Sequence, residues 1–287
     1  MLSIKNLQRL LMLVCLLLLM TAALGLLFQG EGTTRFVLAL DGHQVELFNR
    51  GTYANHSVLR ATSYMGADLT MLVVVVPLLM ISSYSLRKTT KSLMIINGAL
   101  MIAFYYSISL AFGAAFNPYF LLYTVLFAVS GFALANALIM LIKTSNLLMI
   151  AQTRSISTVI FLMIGGLSAL IWLTLIIPAY SSGDYSAFID VNTTEPTFTL
   201  DIGIVFPLFM TTSYLLYQRK RSGYVMTPVV LTFFALVGAM VSIQTMIQYF
   251  YQVDIPLQDL IRLVISFILL GLISLGLNIR FLQCHFE

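Results

Sequence analysis

Eight windows of about 20 predominantly apolar residues divide the chain, approximately Leu10–Phe28, Asp68–Leu86, Leu93–Ala115, Tyr119–Ile142, Ile156–Ala179, Asp201–Gln218, Val225–Tyr249 and Leu257–Ile279. Each is long enough to cross the hydrocarbon of a bilayer as a helix. A water-soluble globule is excluded, because only 9% of residues are charged against about 25% in an average soluble domain. Lipid is therefore the first partner of this chain, and a formal charge of +4 spread over so many spans does not make it a nucleic-acid binder.

Orientation follows from the basic residues, which concentrate on the cytoplasmic side of short membrane loops. With a cytoplasmic N-terminus, eleven of the fifteen basic residues and one of the eleven acids fall inside. Arg35, Arg50, Arg60 and Arg262 then lie outside with the other ten acids. Both termini are expected in the cytoplasm. Met1–Arg9 followed by an apolar stretch and Ala23-Leu24-Gly25 also fits a cleavable signal; retention is preferred because the stretch exceeds the usual length of about 7–15 residues for a signal core.

An internal match organises the rest. Pro77-Leu78-Leu79-Met80-Ile81-Ser82-Ser83-Tyr84 agrees with Pro207-Leu208-Phe209-Met210-Thr211-Thr212-Ser213-Tyr214 at five of eight positions, and each octet precedes a basic turn. The corresponding later helices meet at Asn117-Pro118 and Ile255-Pro256. The expected fold is an all-α membrane protein of eight transmembrane helices, arranged as a 4+4 parallel duplication about an axis along the membrane normal. Residues 1–150 form the first repeat, with an outer loop at 29–67, and residues 151–287 the second.

Within the outer loop, Arg35–Phe48 alternates around Asp41-Gly42, a turn sequence that favours a two-residue β-hairpin. Pairing Leu40 with His43 would place Phe36 opposite Leu47 and Leu38 opposite Val45, giving one apolar face. A lone hairpin is marginal in water, so it is expected to dock on the bundle or on a protein partner. Ser57–Gly66 reads as a short interfacial helix ahead of the second span.

Chemistry is bounded mainly by what is missing. His43, His56 and His285 lie outside the spans, and no HExxH, Walker or dinucleotide-binding pattern occurs, so no catalytic set, cofactor or metal is expected. Cys15 and Cys284 are too far apart along the bundle to pair. The marked spans carry no charge near their middles, which argues against a carboxylate proton relay.

Polar candidates remain. Asp68 and Asp201 open repeat-related spans, where a carboxylate caps the first turn; the sharper alternative is an outer polar site pairing either of them with Arg262. Pro77 and Pro207 each remove a helical hydrogen bond, near the carbonyls of Val73 and Gly203, and such kinks either serve packing or line a cavity. Tyr84 and Tyr214 follow them. Gln244, Gln248 and Gln252 recur every fourth residue on one face, and Asn97, Tyr105 and Ser109 form a similar stripe in the first half. Helix-to-helix bonding is the ordinary use of such groups. A solute site built from Tyr84, Tyr105, Ser109, Tyr214, Gln244 and Gln248 is the functional one.

The segment Leu110–Tyr123, together with Ser63–Leu69 and Asp201–Pro207 before a basic turn, resembles a bacterial family of multi-pass membrane proteins to which no activity is attached. The resemblance covers most of the chain after the first span and implies a bacterial inner-membrane location. The leading functional expectation is a plasma-membrane protein that carries or binds a small or amphipathic solute between the two repeats. The alternative is a non-catalytic subunit or sensor that meets a partner through Arg35–Phe48. An intramembrane enzyme ranks third.

Overall fold

The computed structural model describes residues 3–27, 32–33, 35–39, 42–86, 91–144, 155–183, 189, 191–192, 194–255 and 257–286, with the side chains of Asp259, Arg262 and Leu263 outside the description. Eight helices are long and apolar enough to span a membrane: α1 (Ile4–Leu27), α2 (Val58–Ser85), α3 (Lys91–Gly113), α4 (Phe120–Thr144), α5 (Ile156–Ser182), α6 (Pro196–Tyr217), α7 (Arg221–Phe250) and α8 (Ser266–His285). A two-stranded antiparallel sheet, β1 (Arg35–Leu38) and β2 (Gln44–Leu47), lies between α1 and α2.

Helices α3 and α7 are the most deeply enclosed. Helix α7 packs against α2, α3, α6 and α8, while α1 packs against α2 and α4. Without a hydrophobic driving force between helices in lipid, such contacts depend on close backbone approach. Glycines provide it at two seams. A Cβ at Gly66 would overlap the backbone of Gln244 on α7, and Gly238 of α7 lies directly against Gly271 of α8. The outer faces carry exposed apolar side chains such as Leu121 and Phe132, as a lipid-facing surface requires.

Helix α2 begins ten residues before Asp68, so the separate interfacial helix expected over Ser57–Gly66 is instead the first part of the spanning helix. The reason is packing: Ala61, Met65 and Asp68, with Tyr64, Ala67 and Met71, give a buried face at helical spacing that continues unbroken into the span. Helix α6 likewise begins ahead of Asp201, with the Glu195 carboxylate accepting from the Thr197 N–H at 3.1 Å.

Each proline octet is preceded by a π segment, Met71–Val75 in α2 and Asp201–Val205 in α6. Both end two residues before their proline, and the Val76 and Phe206 N–H groups reach back to the carbonyls of Met71 and Asp201. Proline clashes with the carbonyl four residues earlier and cannot donate to it. A local widening of the helix accommodates both problems. A third π segment, Leu260–Ile265, leads into α8.

The hairpin forms in a different register from the expected one. Arg35 faces Leu47, Phe36 faces Glu46, Val37 faces Val45 and Leu38 faces Gln44. The Ala39 N–H donates to the His43 carbonyl at 2.9 Å, and Gly42 takes the left-handed region at φ 86°. A shift of one residue sends each side chain to the other face. Val45 and Leu47 are buried, whereas Phe36 and Leu38 are 57% and 68% exposed. Phe48 anchors the hairpin to the bundle edge-on against Tyr251, ring centres 5.4 Å apart.

Candidate functional site

Between α2, α3, α5, α6, α7 and the start of α8 lies a cavity of about 480 Å³. It occupies the hairpin end of the bundle and has a gradient of polarity along its depth. Its rim carries Arg60, Glu195, Gln248 and Asp254, and its inner end carries Val205, Phe233, Phe234 and Phe267. Arg60 and Glu195 form an ion pair joining the first turn of α2 to the start of α6.

Two carboxylates organise the region, and neither caps its helix as the sequence suggested. Asp68 is fully buried inside α2, accepting from the Tyr53 hydroxyl at 2.7 Å and the Tyr106 hydroxyl at 2.5 Å. Asp201 lines the cavity and accepts from the Tyr105 hydroxyl at 3.1 Å and the Trp172 indole N–H at 2.7 Å. The early helix starts therefore move both acids from a helix end to an interior position, and Asp68 departs from the expectation of charge-free spans. A buried carboxylate needs such donors, because stripping it of water without them costs several kcal/mol. Successive residues on a helix point about 100° apart, so Tyr105 and Tyr106 reach different helices.

The two glutamines of α7 bond to α2. Gln244 donates to the Ser63 carbonyl at 3.1 Å and Gln248 to the Ser63 hydroxyl at 2.9 Å. Both still border the cavity, as do Tyr105 and Ser109. Tyr84 and Tyr214 lie elsewhere, exposed on the bundle surface near the far ends of α2 and α6. The octets thus match in sequence without contributing these tyrosines to the cavity. The Arg262 side chain falls outside the described residues, and the carboxylates suggested as its partners are held by phenol and indole donors.

Sequence reading missed Trp172, Tyr53, Arg60 and Glu195. One signal was available: Trp172 is the only tryptophan in the chain and sits within an apolar span, where its N–H demands a partner. Beside the cavity, His56 is buried and accepts the Ala115 N–H at its Nε2, 2.9 Å away. Burial, reinforced by Arg60, pushes its imidazole down to about 4, so the ring is neutral. Burial pushes the Tyr53 phenol well up, which keeps its proton for Asp68.

Among the described residues, no group of three or more His, Cys, Asp or Glu side chains is arranged to hold a metal. No family model, no curated protein and no solved structure matches the chain.

Proposed function

We propose that this chain is a bacterial plasma-membrane protein, with both termini in the cytoplasm, that binds a small amphipathic solute in the cavity and carries it between two four-helix repeats. The observation that supports the reading most directly is the cavity itself, large enough for a small solute and polar at one end and aromatic at the other. The distribution of basic residues favours opening toward the outside. Carriage would require the inner wall of Phe233, Phe234 and Phe267 to part. The duplication draws support from the π segments, which stand at the same distance before Pro77 and Pro207.

Trp172 provides the test. In nanodiscs, a neutral brominated alkyl maltoside should quench its fluorescence saturably. Thr245→Phe, which fills the cavity, should leave only the linear quenching due to partition into lipid. Linear quenching in both proteins would remove the reading.

The exposed Phe36 and Leu38 favour a second one, a subunit whose hairpin contacts a protein partner. Deleting Arg35–Phe48 should then abolish co-purification of that partner. An unchanged complex counts against it.

A further inference from the structure

Building on the solute-binding reading, we infer that the cavity takes an amphipathic organic cation, whose charged head lies against Asp201 and whose apolar body extends toward Phe234 and Phe267. Four ionisable side chains other than tyrosine line the cavity among the described residues: Arg60, Glu195, Asp201 and Asp254. Arg60 and Glu195 neutralise each other. The remaining sign is negative, with Asp254 on the exposed rim and Asp201 half-buried within.

Asp201 is only partly satisfied by its neighbours. A carboxylate has about four acceptor positions, and among the described residues two donors reach it, the Tyr105 hydroxyl and the Trp172 N–H, both neutral. An ionised carboxylate in a low-dielectric cavity calls for a cationic partner. The surroundings are suited to an organic one. Trp172 and Phe198, ring centres 5.0 Å apart, both line the wall next to Asp201, and aromatic faces attract alkylammonium groups from which water is excluded. Asp201 lies five residues into α6, about 7 Å below its start at the rise of an α-helix. A head group there leaves the apolar inner end for a hydrocarbon body. An anionic head would meet three carboxylates and a guanidinium already engaged.

Competition against the neutral brominated maltoside, read by recovery of Trp172 fluorescence, separates this inference from the one beneath it. Decyltrimethylammonium and decyl sulfate share a tail and differ in the sign of the head. In the wild-type protein the ammonium should displace the quencher at concentrations about tenfold lower or less, the scale of one charge-assisted contact. In Asp201→Asn that difference should vanish. Equal potency, or preference for the sulfate, overturns the cationic assignment and leaves solute binding standing, because the neutral probe still saturates. A cation preference that persists in Asp201→Asn overturns the assignment to this carboxylate. Absence of saturable quenching in the wild type overturns both. Where Asp201→Asn does not fold, the wild-type comparison alone decides.

Discussion

Tyr105 and Tyr106 are adjacent on α3 yet donate their hydroxyls to carboxylates on two different helices, Asp201 of α6 and Asp68 of α2. One helix thereby satisfies an acid in each half of the chain. Tyr106→Phe leaves Asp68 buried with Tyr53 as its remaining phenol donor, at a cost of about 1–3 kcal/mol for a lost bond to a buried group. Thermal unfolding in detergent should show a lower midpoint for Tyr106→Phe. It should show little further loss when Asp68→Asn is added, because the two share one interaction; full additivity would mean that the 2.5 Å contact is energetically empty.

The hairpin register predicts opposite outcomes for neighbouring positions. Leu47→Ala removes a buried side chain and should destabilise the hairpin by about 2–3 kcal/mol, within the range for apolar truncations in a core. Phe36→Ser should leave stability within about 0.5 kcal/mol, since its ring is exposed. Protease sensitivity of the segment between α1 and α2 measures both, and a reversal of the order would restore the other register.

His56 makes stability at this end of the bundle depend on pH. Its folded value of about 4 lies below the ordinary 6.5, so the unfolded state takes up the proton first as pH falls. The contribution is fully present above pH 6.5 and is lost progressively toward pH 4, by about 3 kcal/mol at 1.36 kcal/mol per unit. His56→Gln keeps an acceptor for the Ala115 N–H and should flatten that acid limb in melting curves. An unchanged pH dependence would show that another group is responsible.

Gln248 bonds to Ser63 and also borders the cavity. Gln248→Ala should weaken solute binding or uptake several-fold without lowering expression. If it lowers the melting temperature and leaves binding intact, its amide serves helix packing alone.

Gly66 tests the α2–α7 seam. Gly66→Ala forces a methyl into the backbone of Gln244, so the helices must separate, at a cost of about 1–3 kcal/mol for overpacking. Weaker binding should accompany the loss of stability, since Ser63 and Gln244 move apart.

The eight spans were legible because a bilayer imposes its thickness on sequence as runs of apolar residues. The discontinuities before Pro77 and Pro207 were legible because proline removes a particular hydrogen bond; their form as π segments was not. The starts of α2 and α6 were misplaced, since hydropathy registers polar residues such as Arg60 and Ser63 as the end of a span although the helix continues through them. Once helices extend past Asp68 and Asp201, both acids change from caps into interior groups, and only the fold reveals the phenols and indole that hold them.

Apolar run length and proline chemistry are local properties, and with them the sequence by itself determined a bundle of eight helices long and apolar enough to span a membrane and the sites of its irregular turns. Tertiary structure decided which side of each helix faces which neighbour. That choice sent Tyr84 and Tyr214 to the surface, joined Gln244 and Gln248 to Ser63, set Trp172 beside Asp201 and shifted the hairpin by one residue. The physical reason is that rotation about a helix axis and register along a strand are fixed by packing between segments distant in sequence, where close glycine contacts and buried hydrogen bonds select one arrangement among many of equal hydropathy.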